Sequence, residues 1–219
     1  SFDELFYQLN LSSQLDDLIS LVYQRIDRER NKYSDSTMLI LRKAYEALSS
    51  KSHPMEMIVL DRINYSYIMR GETEMLDSYL NIMLNLSQEK NEERFYIRAL
   101  LYQLELLVRA NEMMNAKEQI KNICSRLEDK EYFEEQIYYK LLVAKYQLDI
   151  DDHIAVRETA DEGILISEKS GVKRFLGDLY NIRGISKYMN GDPIAALEDY
   201  NLALEGYKNS DRPDRKSVV

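Results

Sequence analysis

Tryptophan is absent from this 219-residue chain, cysteine occurs once, histidine twice, proline three times and glycine seven times. One cysteine, Cys124, rules out an intramolecular disulfide, and its place in NICSRLED, the end of an amphipathic pattern, reads as a small packing residue. Without disulfides, the expected compartment is the reducing cytoplasm. Proline and glycine, the residues that interrupt helices, are few for a chain of this size. Good helix formers, Leu, Ala, Glu, Lys, Gln, Arg and Met, are plentiful instead, which predicts an all-α protein.

Long apolar runs are also missing. None approaches the roughly 18 to 20 residues that cross a bilayer, and the N-terminus lacks a basic stretch followed by an apolar one, so no membrane association is expected. Positive charge is in deficit: the formal net charge is −9. A nucleic-acid-binding domain neutralises phosphates with surplus Lys and Arg, so direct nucleic-acid binding is not expected.

Catalytic motifs are lacking too. There is no GxxxxGKS/T loop, GxGxxG turn, HExxH helix, CxxC pair or GxSxG elbow, and the chain does not read as an enzyme. His53 and His153 are about 100 residues apart. His153 beside Asp151 and Asp152 reads as a loop and helix-cap residue, and neither a metal nor a cofactor is expected.

What the chain has is a period. Four short polar breaks, MRGETEM around Gly71, RANEMMN around Asn111, DIDDHIA around Asp151 and MNGDPIA around Gly191, stand 40 residues apart. An amphipathic helical pattern precedes each break and another follows it. This places helix pairs near 15–50, 54–89, 93–129, 133–170 and 174–208, with Pro54 at a helix start. Gly191 suits a left-handed helix end, Asp192 the cap of the next helix, and Pro193 its first turn.

The last unit, LGDLYNIRGISKYMNGDPIAALEDYNLALEGY from Leu176 to Tyr207, resembles the tetratricopeptide repeat (TPR). Tyr180 stands at the large aromatic position of the first helix, Gly184 at the small position where the helices meet, and Ala196 at the small residue opening the second helix. Tyr200, Ala203 and Leu204 complete the inner face. One period earlier Ala144 and Gly163 fit and Val156 departs; before that Ala116 fits and Leu104 departs, and Asn64 and Leu76 depart in the unit around Gly71. The 40-residue variant is similar to kinesin light chains and to bacterial peptide-sensing regulators of the Rap, Rgg and PlcR type.

That resemblance implies a superhelical array of about five antiparallel TPR-like helix pairs over 15–208, preceded by a helix or linker at 1–14 and followed at 209–219 by a polar tail or linker to a further domain. The start at Ser1 and the ending SDRPDRKSVV agree with a piece of a longer protein. It also implies a concave groove lined by first helices. The TPR groove positions fall on Asp61, Tyr65 and Met69, then Arg98, Leu101, Glu105 and Arg109, then Tyr138, Leu141 and Lys145, and last Asn181, Ile185 and Tyr188.

Of these, Tyr65, Arg98, Glu105, Arg109, Tyr138, Lys145, Asn181 and Tyr188 are the candidate binding residues. Arg98, Arg109 and Lys145 would place positive charge in the groove, and Asn181 would bond a ligand backbone. Leu141 and Lys145 stand where chaperone-tail binders carry other polar groups, so that ligand is not expected. The expected function is a peptide- or protein-binding regulatory module of a bacterial signalling or transcription protein. The alternative is a constitutive homodimerisation or docking scaffold, with Met113 and Met114 as contact residues.

Overall fold

The computed structural model describes residues 33–209. The expected N-terminal helix or linker at 1–14, the first helix of the 15–50 pair and the tail beyond Asn209 lie outside the described residues. Nine α-helices and no strand occur among the described residues. They are α1 (Asp35–Ser49), α2 (Glu56–Arg70), α3 (Thr73–Glu89), α4 (Glu93–Arg109), α5 (Met113–Leu127), α6 (Phe133–Asp149), α7 (His153–Ser170), α8 (Leu176–Met189) and α9 (Pro193–Asn209). The described part is all-α, and none of these helices is long and apolar enough to cross a membrane.

The four expected breaks are four turns of one geometry. Gly71, Asn111, Asp151 and Gly191 all have positive φ, at 71°, 59°, 64° and 83°. In each, the left-handed residue donates its N–H to the carbonyl three residues back and the next residue to the carbonyl five back: Gly71 to Ile68 and Glu72 to Tyr67, Asn111 to Val108 and Glu112 to Leu107, Asp151 to Leu148 and Asp152 to Gln147, Gly191 to Tyr188 and Asp192 to Lys187. This is the Schellman closure, which satisfies carbonyls a helix end leaves open. Asp152 and Asp192 then cap the following helices, accepting from the N–H groups of Ala155 and Ala195 at 3.1 and 3.0 Å.

Pro54 does not open α2, as its position suggested. It lies in a turn two residues before Glu56, where the His53 carbonyl accepts the Glu56 N–H and His53 Nδ1 accepts the Met55 N–H. The ring of Pro54 needs no donor there, so the turn tolerates it as well as a first helical position would.

The described residues divide into two compact units, 33–102 and 103–209, with the boundary inside α4. In the first, α1 packs on α2 and α2 on α3 around Leu41, Leu48, Leu60, Ile63, Tyr67 and Met83, all essentially inaccessible. Asn64, at a position where a small residue was expected, is fully buried; its amide donates to the carbonyls of Leu60 and Tyr79 and so ties α2 to α3. In the second unit, α6, α7, α8 and α9 each pack on the next. Ala116, Ala144, Val156, Ala160, Leu179 and Ala196 are completely buried.

Close approach of α8 and α9 depends on small residues. A Cβ at Gly184 would stand 2.8 Å from the Tyr200 ring and 3.2 Å from Asp199 Cβ. Nearer the far end of the pair, Gly177 and Gly206 meet backbone to backbone: a Cβ on Gly206 would lie 2.9 Å from both Cα and N of Gly177. This second contact sets the separation of the two helices more rigidly, because backbone cannot move aside as a ring can.

Candidate functional site

Within the first unit, the candidate residues assemble around Asp61 of α2. Arg98 Nη1 and the Tyr102 hydroxyl both donate to its carboxylate, each at 2.7 Å. Both donors come from α4, and their offsets from Asp61, 37 and 41 residues, bracket the repeat period. Tyr65, one turn along α2, is buried, with the Tyr102 and Tyr33 rings each 6.4 Å from its own. Met69 is half-buried and Leu101 buried.

The second unit holds a denser cluster around Glu105, which is buried on the C-terminal half of α4. Arg109, one turn on, reaches its carboxylate at 2.5 Å, the Tyr138 hydroxyl of α6 donates to the other oxygen, and Lys145 stands 3.5 Å away, one period along the chain. Burial alone would raise the Glu105 pKa. The charges of Lys145 and Arg109 and the Tyr138 hydrogen bond outweigh it and bring the carboxyl from 4.5 down to about 2. Asp149, one turn beyond Lys145, is pushed up by burial against the pull of that lysine.

The three cations expected to line a positive groove therefore each face a carboxylate: Arg98 faces Asp61, and Arg109 and Lys145 share Glu105. Asp61 balances Arg98, whereas the single charge of Glu105 is shared by two cations, and both carboxylates supply fixed geometry. Exposure separates supports from accessible groups. Tyr65, Glu105, Tyr138 and Leu141 are buried; Arg98, Lys145, Asn181 and Ile185 are half-buried; Arg109 and Tyr188 are exposed.

Phe175, absent from the expected set, completes the second cluster. It precedes α8 and stacks on Tyr138 with ring centroids 4.5 Å apart and planes at 6°. The Arg174 guanidinium lies over the Phe175 ring, 5.2 Å from its centroid, and pairs with Glu134, one period earlier. That 40-residue offset equals the one between Glu105 and Lys145; the period marks which helices are neighbours, but not which of their side chains face each other.

A third polar network closes the α8–α9 pair. Arg183 donates through Nε and Nη2 to both oxygens of Asp199, at 2.9 and 2.5 Å, and Lys187 lies 2.8 Å from the same carboxylate. Asp199 is buried, which by itself raises its pKa; the hydrogen bonds from Arg183 and Lys187 hold it below the ordinary carboxylate range. Arg183 also reaches Asp161 and lies over the Tyr180 ring at 5.2 Å.

His153 opens α7, and its Nε2 lies 2.9 Å from Asp151 in the turn before it. Among the described residues no three His, Cys, Asp or Glu side chains come together as a metal site would need. Cys124 is exposed on α5 rather than packed inside, since its helix turns Ile123 inward instead. No family model matches this chain, and no curated protein matches it.

Proposed function

We propose that this chain is a TPR-like superhelical repeat module that binds an extended peptide or a segment of a partner protein, and acts as the regulatory part of a signalling or transcription protein. The observation that carries the reading is the pair of hydrogen-bonded charged and tyrosine clusters on the first helices of successive helix pairs, around Asp61 and around Glu105. Burying charge is costly, and a fold with apolar alternatives retains it where fixed donors are useful. Glu105 fixes the position of Arg109 and Lys145, so that a ligand main chain or carboxylate would meet cations held in a set geometry. Asn181 and Tyr188 of α8 add an amide and an exposed aromatic surface, the residue types enriched where proteins grip partners.

The 40-residue recurrence of the Schellman turns and the close Gly184–Tyr200 contact support the TPR-like reading. The experiment is a screen of fluorescent peptides of about eight residues, the length that extends over roughly 25 Å, by anisotropy and thermal shift. A binding peptide is expected, and Lys145→Ala and Asn181→Ala should each weaken it about tenfold, the effect of losing one charge-assisted bond. Hits that bind these variants as tightly as the parent, or a library with no hit, overturn the proposal.

A further inference from the structure

The turns of the second unit carry a surface that the clusters above do not use. Consecutive helices joined by connections of three to five residues run antiparallel, so the turns around 111–112, 151–152 and 191–192 fall at one end of the unit. Just past each turn stands a large apolar side chain directed to solvent: Met114, Ile154 and Ile194, exposed by 82%, 62% and 76%. These are the three most exposed large hydrophobics among the described residues, and they are spaced by the repeat period. Ile150 and Met189, exposed by 46% and 59%, flank two of the same turns.

Two residues before each apolar side chain stands an exposed carboxylate: Glu112, Asp152 and Asp192. Among the described residues, Asp152 and Asp192 accept only from their own helices and Glu112 from the Asn115 amide, and no Lys or Arg pairs with any of the three. One end of the unit thus repeats an acidic and an apolar group three times, in register. Isolated exposed apolar residues are ordinary, whereas a periodic row of them beside uncompensated charge is a recognition pattern.

We infer that this turn end is a docking surface for a cationic amphipathic helix, whose apolar stripe covers Met114, Ile154 and Ile194 and whose Lys or Arg residues meet Glu112, Asp152 and Asp192. Charge decides the occupant. A second copy docked by the same surface sets carboxylates against carboxylates, in a chain already at −9. An anionic lipid surface is repelled for the same reason. A basic helix gains both contacts. The surface is separate from the peptide site proposed above and does not depend on it.

The test uses the whole chain and a fluorescein-labelled, amidated Leu/Lys helix about five turns long, read by anisotropy. Two variants separate the contributions. Glu112→Gln/Asp152→Asn/Asp192→Asn removes the charges while asparagine keeps both helix caps; Met114→Ser/Ile154→Ser/Ile194→Ser removes the apolar row from exposed positions. Each is expected to weaken binding about tenfold or more, with unchanged thermal unfolding. A control peptide of equal charge with Leu replaced by Ser should bind at least as weakly as the serine variant binds the parent peptide. Equal binding of both peptides, or retained affinity in either variant, overturns the inference, as does sedimentation showing a wild-type dimer that the serine variant abolishes.

Discussion

Replacing Glu105 by glutamine removes one charge from the centre of the second unit while keeping shape and an acceptor for Tyr138. Burial raises the carboxyl's pKa, and Lys145, Arg109 and the Tyr138 hydroxyl more than offset it, leaving it at about 2 against an ordinary 4.5. A folded pKa below the unfolded one means that the folded protein keeps the charge where the unfolded chain takes up a proton. Its stabilisation is fully present above about pH 4.5 and is lost as the pH falls toward 2. At roughly 1.4 kcal/mol per pH unit, that interval corresponds to about 3 kcal/mol. Glutamine mimics the protonated form at every pH. Urea unfolding followed by circular dichroism, run on both proteins from neutral pH down to the acid limit of folding, should show the variant less stable by about 3 kcal/mol near neutrality. The gap should narrow steadily below pH 4.5. Other carboxylates, Asp199 included, titrate alike in both proteins and cancel in the difference. A gap that stays constant with pH, or widens on acidification, refutes the account of how Glu105 is held.

Tyr138→Phe keeps the stack on Phe175 and deletes one donor to Glu105; it should cost about 1 to 2 kcal/mol and move the midpoint of the acid transition upward in the same titration. Asp199→Ala removes the buried carboxylate that Arg183 and Lys187 share and leaves Arg183 with Asp161, and about 3 kcal/mol of destabilisation is expected by thermal or chemical unfolding. Gly206→Ala sets a methyl carbon against the Gly177 backbone. Overpacking of about 1 to 3 kcal/mol should exceed the gain of at most about 1 kcal/mol in helix propensity, so the melting temperature should fall although alanine is the better helix former.

The turns were legible in the sequence because their chemistry is local. A left-handed residue followed by an acidic cap can be read from Gly191 and Asp192 alone, and Asn111 and Asp151 follow from the spacing. Helix limits followed from the same breaks to within a few residues. The contact of Gly184 with Tyr200 was legible too, since it lies within one helix pair. The pairings between helix pairs were not. Asp61 with Arg98 and Tyr102, or Glu105 with Lys145, depend on the rotation of one helix about its axis against the next, and a frame of groove positions does not carry that angle. Hence Arg98, Arg109 and Lys145 read as groove cations, while each faces a carboxylate. Leu101 and Leu141, read as groove surface, are buried because a first helix is covered on more than one side. Gly177 and Gly206 escaped notice because they lie 29 residues apart, at a separation no single-helix periodicity reports.

The identical Schellman closures at Gly71, Asn111, Asp151 and Gly191 also bear on how such a chain changes length over evolutionary time. Each closure is made by its own few residues, so deleting the stretch from one closure to the next rejoins two ends that already fit. Insertion by duplication works the same way. Every intermediate in such a history keeps a competent connection at the join, and selection is left to adjust only the helix faces that become new neighbours.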